Sequence, residues 1–150
     1  MLREDFTKAL KIAMVEKDTL KTTTIRMILA GIKDKDIQAR AKDNPDGIAD
    51  DAILSLLQSL IKQRNDSVKL YQEAGRQELV DKELAEIKII QSFLPQQLSE
   101  VETNQAIADA MKETNATSMK DMGKIMAALK AKYAGKMDFS KASQLIKTHF

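Results

Sequence analysis

The residues in this sequence that most clearly could contact a ligand are lysines in its last third. Residues 116–150 contain seven lysines and two aspartates, a net charge of +5. The lysines are Lys120, Lys124, Lys130, Lys132, Lys136, Lys141 and Lys147. A lysine ammonium is a compact charge suited to phosphate contacts, and no arginine in this segment could read a base edge with two hydrogen bonds. The pattern favours either contact with a nucleic-acid backbone without sequence readout or a simple solvated surface.

A second set of basic candidates precedes this segment. It consists of Arg26, Lys33, Arg64 and Arg76. Arg26 and Lys33 are seven residues apart and so share one face of a helix. Arg64 falls on the apolar stripe of its helix, where an arginine usually has a carboxylate partner or lays its stem along apolar surface. All four remain candidate RNA ligands, but for Arg64 a structural role is favoured.

Side chains that could support catalysis or hold a metal are sparse. The single histidine, His149, is one residue from the C-terminal end of the sequence, where its side chain is not easily desolvated or oriented for catalysis. Glu83 and Glu86 lack the nearby histidine of helical metal sites and are better explained as surface carboxylates paired with Lys82 or Arg76. The sequence has no cysteine for a thiol nucleophile and no glycine-rich phosphate loop. We therefore predict no catalytic residue, no cofactor and no metal.

The composition predicts an all-α protein. Glycine and proline are few, at five and two of 150 residues, while Ala, Leu, Lys, Glu, Gln and Met, which lose little side-chain freedom in a helix, are common. The absence of cysteine fits a reducing compartment. No stretch approaches the roughly 20 apolar residues that span a bilayer, and the N-terminus lacks a signal-peptide pattern. We therefore expect a soluble, unprocessed, cytoplasmic protein with no membrane partner.

Apolar residues at helical spacing predict four helices in the first two thirds of the chain. These helices cover about residues 2–17, a segment beginning after an N-cap at Asp18, residues 50–74 and residues 77–93. Between the second and third, Asn44-Pro45 and Asp46-Gly47 indicate a loop. Gly75 is placed where a helix ends in a left-handed residue.

Pro95 marks the predicted boundary between two parts of the chain. The residue before a proline is disfavoured in the α region, so the fourth helix must stop there. Ser99 and Glu102 then form a capping-box pattern that starts a new helix. Three short helices are expected at about residues 100–113, 119–133 and 139–148, with caps at Ser118 and Asp138. The predicted architecture is a four-helix N-terminal domain, 1–95, and a three-helix C-terminal domain, 96–150.

Three segments of the sequence resemble a known family. They are "AGRQELVDKELAEIKIIQSFLPQQLSEVE", "TTIRMILAGIKDKDI" before it and "DMGKIMAALKAKYAGKMDFSKASQLIK" after it. The elements AGR-x-[DE]-L, LP-x-QLS-x-x-E and GK-[IV]-M occur in this order. Together they resemble the GatB/YqeY family, and in particular the small YqeY-like proteins, over nearly the whole chain.

The resemblance implies a helical fold of four helices followed by three. It also implies similarity to the C-terminal tail of the B subunit of the glutamine-dependent aminoacyl-tRNA amidotransferase, a region that engages tRNA and does no chemistry. The basic segment from Ala116 onward corresponds to that tail. The family label of carbon–nitrogen ligase activity with glutamine as amido donor follows from the same resemblance, although no amidase or ATP-dependent activating region is recognisable in this sequence.

Three hypotheses of function follow. The first is a non-catalytic module that binds structured RNA, with tRNA as the first candidate, through the C-terminal lysines. The second is an adaptor that binds a protein of the translation or amidotransferase machinery, through a groove between the two parts or a methionine-rich surface. The methionines concerned are Met111, Met119, Met122 and Met126, which more often fill a small core. The third is an accessory component of a glutamine-dependent amidation reaction.

Overall fold

A computed structural model describes residues 2–150 of the chain. The first four helices are α1 (Leu2–Val15), α2 (Thr19–Ala41), α3 (Asp50–Glu73) and α4 (Gln77–Gln91). They are followed by α5 (Glu100–Glu113), a 3-10 turn (Met119–Asp121), α6 (Met122–Tyr133) and α7 (Phe139–Lys147). The all-α prediction is confirmed, since no strand occurs in residues 2–150. The segment 119–133 differs from the prediction of one helix, because its first turn is 3-10.

The helix ends follow from local side-chain chemistry. Asp18 accepts a hydrogen bond from the Lys21 amide at the start of α2. At the start of α5, the Ser99 hydroxyl accepts from the Glu102 amide while the Glu102 carboxylate accepts from the Ser99 amide, so the predicted capping box is confirmed. Asp138 caps α7 through two backbone amides. These side chains satisfy N–H groups that a first helical turn leaves without partners.

The main core of α1–α4 is aliphatic, with two phenylalanines in contact. Phe6 of α1 and Phe93, just beyond α4, have ring centroids 4.8 Å apart. The fully or nearly fully buried members of this core are Phe6, Ala13, Ile25, Ile28, Ile32, Ile53, Leu57 and Ile90. Four helices thus contribute to one core, which is what holds their otherwise polar sequences together.

The paired helices α3 and α4 have a smaller core of their own near their connection. It is formed by Val68, Val80 and Ile87, with Ile61 and Tyr71 packed against it. Gly75, between the two helices, has a φ of +69°, which confirms the predicted left-handed residue. This small cluster packs α3 against α4.

The helices α5–α7 surround a separate core. Its buried members are Ala106, Ile107, Ala110, Ile125, Leu129, Met137, Ala142 and Ile146. The segment after Pro95 is tied to the α6–α7 connection, where the Leu98 amide donates to the Lys136 carbonyl at 2.8 Å. The Gln97 side chain also donates to the Gly135 carbonyl. The connection carrying Lys136 is therefore held by two hydrogen bonds from adjacent residues, Gln97 and Leu98.

The chain folds into two compact units, one ending at Leu94 and one running from Pro95 to Phe150. The assignment of residues 1–95 and 96–150 as separate domains stays a prediction. Across the part of the chain that is described, no helix has both the length and the apolar character needed to cross a membrane.

Candidate nucleic-acid interface

All seven candidate lysines of the second unit are exposed. Lys120 lies in the 3-10 turn, Lys136 lies in the α6–α7 connection, and the others are on the two helices. Those on α6 are Lys124, Lys130 and Lys132, and those on α7 are Lys141 and Lys147. The exposure agrees with a surface available to a ligand, and it agrees equally with solvation.

Helical geometry spreads these lysines around the unit. Each residue advances an α-helix by about 100°, so Lys130 and Lys132 project on nearly opposite sides of α6, while Lys124 and Lys132 lie about 80° apart. Lys141 and Lys147 diverge by about 120° around α7 by the same rule. Ile125 and Leu129 face the core. By the same rule Lys132 lies within about 20° of Ile125, at the edge of that buried side, whereas Lys124 and Lys130 lie about 100° or more from both core residues. The lysines therefore do not form a single flat basic face.

Two of the lysines have specific neighbours. Lys132 Nζ lies 2.6 Å from Glu113 Oε1 at the end of α5, and this hydrogen bond raises the pKa of Lys132. Lys130 Nζ lies 6.0 Å from the centroid of the Phe139 ring, at the outer limit of a cation–π contact. Among the residues described, Lys132 is the only one of the seven that forms an ion pair.

An internal carboxylate occupies the backbone donors that precede α6. Asp121 Oδ2 accepts from the amides of Thr117 at 2.9 Å and Ser118 at 3.3 Å. These two hydrogen bonds, with a smaller contribution from the charge of Lys124, lower the pKa of Asp121. The predicted cap at Ser118 is confirmed. A phosphate would meet this carboxylate if it approached the same amides, so the lysine side chains are the better anion contacts here.

An open pocket of about 580 Å³ lies beside this turn. Its lining is Thr117, Ser118, Met119, Lys120, His149 and Phe150. Of these residues, sequence reasoning linked Lys120 to RNA and Met119 to a possible protein-binding surface, and it gave His149 no role. Met119 is 44% exposed, whereas Met111, Met122 and Met126 pack against the core. The candidate methionine surface thus separates into three residues that pack against the core of α5–α7 and one exposed residue, Met119, which lies in the 3-10 turn.

The basic candidates of the first unit do not share one environment. Arg26 and Lys33 are both exposed on α2, with an Arg26 nitrogen 3.8 Å from the Met14 sulfur. Arg76 is exposed and pairs with Glu78 at 2.7 Å. Arg26 and Lys33 share one face of α2, whereas Arg76 lies in a different part of the unit, directly before α4.

Arg64 has the partner that its position on an apolar stripe suggested. Its Nε lies 3.0 Å from Glu86 Oε2, and the two side chains are 12% and 15% exposed. Its other nitrogens contact the Leu60 carbonyl and the Met27 sulfur. The expectation that Glu86 pairs with Lys82 or Arg76 is wrong. Glu86 instead faces α3, where a residue 22 positions earlier in the chain supplies the charge.

Comparison with known proteins gives a family match over nearly the whole chain. The family described as Yqey-like protein matches residues 3–150. A curated relative, "Altered inheritance of mitochondria protein 41, mitochondrial" from Lachancea thermotolerans, is 40% identical over 108 residues, which are 71% of this chain and 56% of that protein. The protein of the same name from Vanderwaltozyma polyspora is 35% identical over 122 residues, 77% of this chain and 63% of that protein.

These relatives contradict the predicted cytoplasmic location. Their names describe mitochondrial proteins. The prediction rested on the absence of cysteine, of a signal-peptide pattern and of an apolar stretch long enough to span a bilayer. None of these features distinguishes one reducing compartment from another. The chain spans less than two thirds of the length of the curated relatives described here. The match across residues 3–150 shows that the chain belongs to the family of YqeY-like proteins.

Proposed function

We propose that this protein is a non-catalytic module that binds structured RNA, with tRNA as the leading candidate, through the lysines of residues 116–150. The observation that carries the proposal is the exposure of all seven lysines in a segment of net charge +5. Only Lys132 among them is neutralised by an ion pair within the described residues. We also propose that residues 1–95 and 96–150 are separate domains and that the second carries the RNA surface.

The placement of the lysines supports a folded ligand better than a flat one. Since Lys130 and Lys132 project on opposite sides of α6, one straight duplex face could not contact both. A folded RNA presents phosphates from several directions and is recognised chiefly through shape and backbone. The lack of arginine in residues 116–150 fits the same mode, since backbone contact needs charge more than a planar two-donor fork.

The relation to amidotransferase machinery remains part of the proposal. It rests on the sequence resemblance to the amidotransferase B-subunit tail, which makes tRNA a more specific candidate than RNA in general. The curated relatives are named as mitochondrial proteins, so mitochondrial tRNA belongs among the probes together with total cellular tRNA.

Salt-dependent tRNA binding tests the proposal. Replacing Lys120, Lys124, Lys130 and Lys132 by glutamate should weaken binding and reduce the slope of log K against log salt by about one for each lysine that contacts phosphate. A matched control places glutamate at four exposed lysines of α3 and α4: Lys62, Lys69, Lys82 and Lys88. Equal losses of tRNA affinity in the two variants would show that only the net charge of the protein matters. An unchanged slope of log K against log salt in the variant of residues 120–132 would overturn the proposed site.

Limited proteolysis of the intact chain tests the domain assignment separately. Cleavage confined to the segment around Pro95, leaving two resistant fragments, is the expected result. Early cleavage inside α3 or α6 would contradict the assignment.

An adaptor function is the second candidate, and exposed aliphatic side chains favour it. Val15 at the end of α1 is 83% exposed and Leu70 on α3 is 65% exposed. Binding of a protein partner that survives nuclease treatment, combined with no tRNA binding at low salt, would move this function to first place.

A further inference from the structure

The pocket beside the 3-10 turn combines two apolar side chains with basic ones. Met119 and Phe150 line it and are 44% and 42% exposed. Lys120 and His149 line the same pocket. An aromatic ring and a thioether beside an ammonium form a surface for a ligand that carries both a flat apolar face and a negative charge.

The residues beyond α7 are held in position by backbone hydrogen bonds. The His149 amide donates to the Ile146 carbonyl at 3.0 Å, and the Phe150 amide donates to the Lys147 carbonyl at 3.3 Å. Thr148 makes the same kind of bond to Leu145 at 3.1 Å. These consecutive bonds restrain the backbone at Phe150 and with it the direction of the bond from Cα to Cβ. Ordering that precedes binding lowers the entropy lost when a ligand packs on the ring.

The polar lining limits where a negative charge could lie. The amides of Thr117 and Ser118 already donate to the Asp121 carboxylate, which would repel a second anion at the same donors. The Ser118 hydroxyl is engaged as a cap, accepting from the Lys120 amide at 3.3 Å. The exposed ammonium of Lys120 is left as the anion contact on this side of the pocket. An anion therefore fits beside Lys120, and the apolar part of the same ligand fits against Met119 and Phe150.

We infer that this pocket receives one unpaired nucleotide of the bound RNA, with its base against Phe150 and Met119 and its phosphate beside Lys120. The inference rests on the proposed RNA-binding function and adds a second kind of contact to it. Every base has a face that can stack, so the site tolerates different sequences. A base inside a continuous duplex is stacked on its neighbours and does not enter. The protein therefore prefers RNA with exposed loop or end nucleotides over a blunt duplex of equal charge.

The single histidine makes the site directly observable. Because the chain contains one histidine, His149, the imidazole proton resonances in an NMR spectrum report on this pocket alone. A short single-stranded oligoadenylate should shift those resonances together with the methyl resonance of Met119. A blunt-ended RNA duplex at equal phosphate concentration should leave them nearly unchanged. Shifts of equal size with both probes would contradict a base site, as would no shift with the oligoadenylate at low salt.

Alanine variants identify the side chains responsible. Phe150→Ala should weaken oligoadenylate binding by about tenfold or more, the usual effect of removing a stacking partner, and Met119→Ala should weaken it by a smaller factor. Both side chains are partly exposed, so the fold is expected to persist, and far-UV circular dichroism checks this. The matched control is Val101→Ala, an exposed apolar residue on α5 that is outside the pocket lining and should leave binding unchanged. Unchanged binding by Phe150→Ala would overturn the inference.

The outcomes separate this inference from the proposed function. Suppose that the lysine-to-glutamate variant reduces the slope of log K against log salt for tRNA, but that Phe150→Ala binds both oligoadenylate and tRNA normally. The lysine surface then stands and the nucleotide pocket is wrong. If oligoadenylate shifts His149 and Phe150→Ala abolishes the shift, while a variant with glutamate only at Lys124, Lys130 and Lys132, which are outside the pocket lining, keeps the slope of log K against log salt for tRNA, the pocket stands and the lysine surface is wrong.

Discussion

Arg64 on α3 and Glu86 on α4 form an ion pair of 3.0 Å between Nε and Oε2, and both side chains are largely withdrawn from solvent. The guanidinium also donates to the Leu60 carbonyl at 3.2 Å. The pair lies where α3 and α4 face each other, beyond the reach of local sequence contacts. Its position makes it a structural element of the first unit and fixes how the two helices align along their axes.

Removing one partner of this pair should cost more stability than removing both. We expect Glu86→Ala to lower the free energy of unfolding by about 2–4 kcal/mol, since it leaves a poorly solvated guanidinium without its counter-charge. The double variant Arg64→Met, Glu86→Leu should recover most of that loss because no unpaired charge remains. Urea unfolding of the three proteins provides the measurement.

The exposed pair of Arg76 and Glu78 supplies the matched control. Both of its side chains are more than half exposed, so Glu78→Ala should leave the urea midpoint nearly unchanged. A Glu86→Ala variant as stable as Glu78→Ala would show that the Arg64 pair adds nothing to the fold.

Asp36 should make the first unit sensitive to acid. Both of its oxygens accept from Arg3 at 2.8 Å, and Oδ1 also accepts from the Ile48 amide at 2.9 Å. The Arg3 hydrogen bonds and then the Ile48 amide lower the pKa of Asp36 to about 2. A carboxyl with a depressed folded-state pKa stabilises the protein above its unfolded-state pKa of about 3.9, and this contribution is lost as the pH falls towards 2.

The variant Asp36→Asn tests this pH dependence. We expect it to lose stability on the order of 1 kcal/mol near neutral pH, because solvent screens the partly exposed Arg3 charge. The difference between the variant and the original protein should shrink as the pH is lowered from about 5 to about 2. Urea unfolding over that pH range measures it, and a difference independent of pH would contradict the assigned pKa shift.

Gly47 and Gly75 should respond differently to the same substitution, although both have a positive φ, of +84° and +69°. A Cβ at Gly47 would lie 2.8 Å from Cγ of Asp36 and 3.1 Å from a nitrogen of Arg3, whereas a Cβ at Gly75 meets nothing within 4 Å. Gly75→Ala should therefore cost only the backbone strain, about 1 kcal/mol. Gly47→Ala should cost about 2–4 kcal/mol because it also disrupts the Arg3–Asp36 contact. Equal thermal midpoints for the two variants would contradict this assignment.

Glu113→Gln should strengthen RNA binding if the proposed function is correct. Glu113 holds Lys132 at 2.6 Å, so its neutralisation frees a lysine for phosphate contact. The slope of log K against log salt should then steepen by up to about one. Glu100→Gln, at the other end of α5, makes the same charge change away from Lys132 and serves as the control. Equal gains in the two variants would attribute the effect to net charge alone.

The sequence by itself determined the helices of this protein and most of their ends. Those features depend on residues within one or two turns of each other: the repeat of apolar side chains, the caps at Asp18, Ser99 and Asp138, and the left-handed Gly75. The family assignment is equally a property of the sequence, since its motifs are short and occur in a fixed order.

Tertiary structure alone decided which side chains meet. Glu86 could have paired with neighbours on its own helix, and only the packing of α4 on α3 brings it to Arg64. The lysines read as one basic segment, yet the turn of α6 points Lys130 and Lys132 apart. Met119 and Phe150 are separated by about 30 residues and line one pocket because the 3-10 turn and the end of α7 meet around a shared core. Local helix propensity carries no information about which distant side chains meet, since these contacts form only when the helices pack against each other.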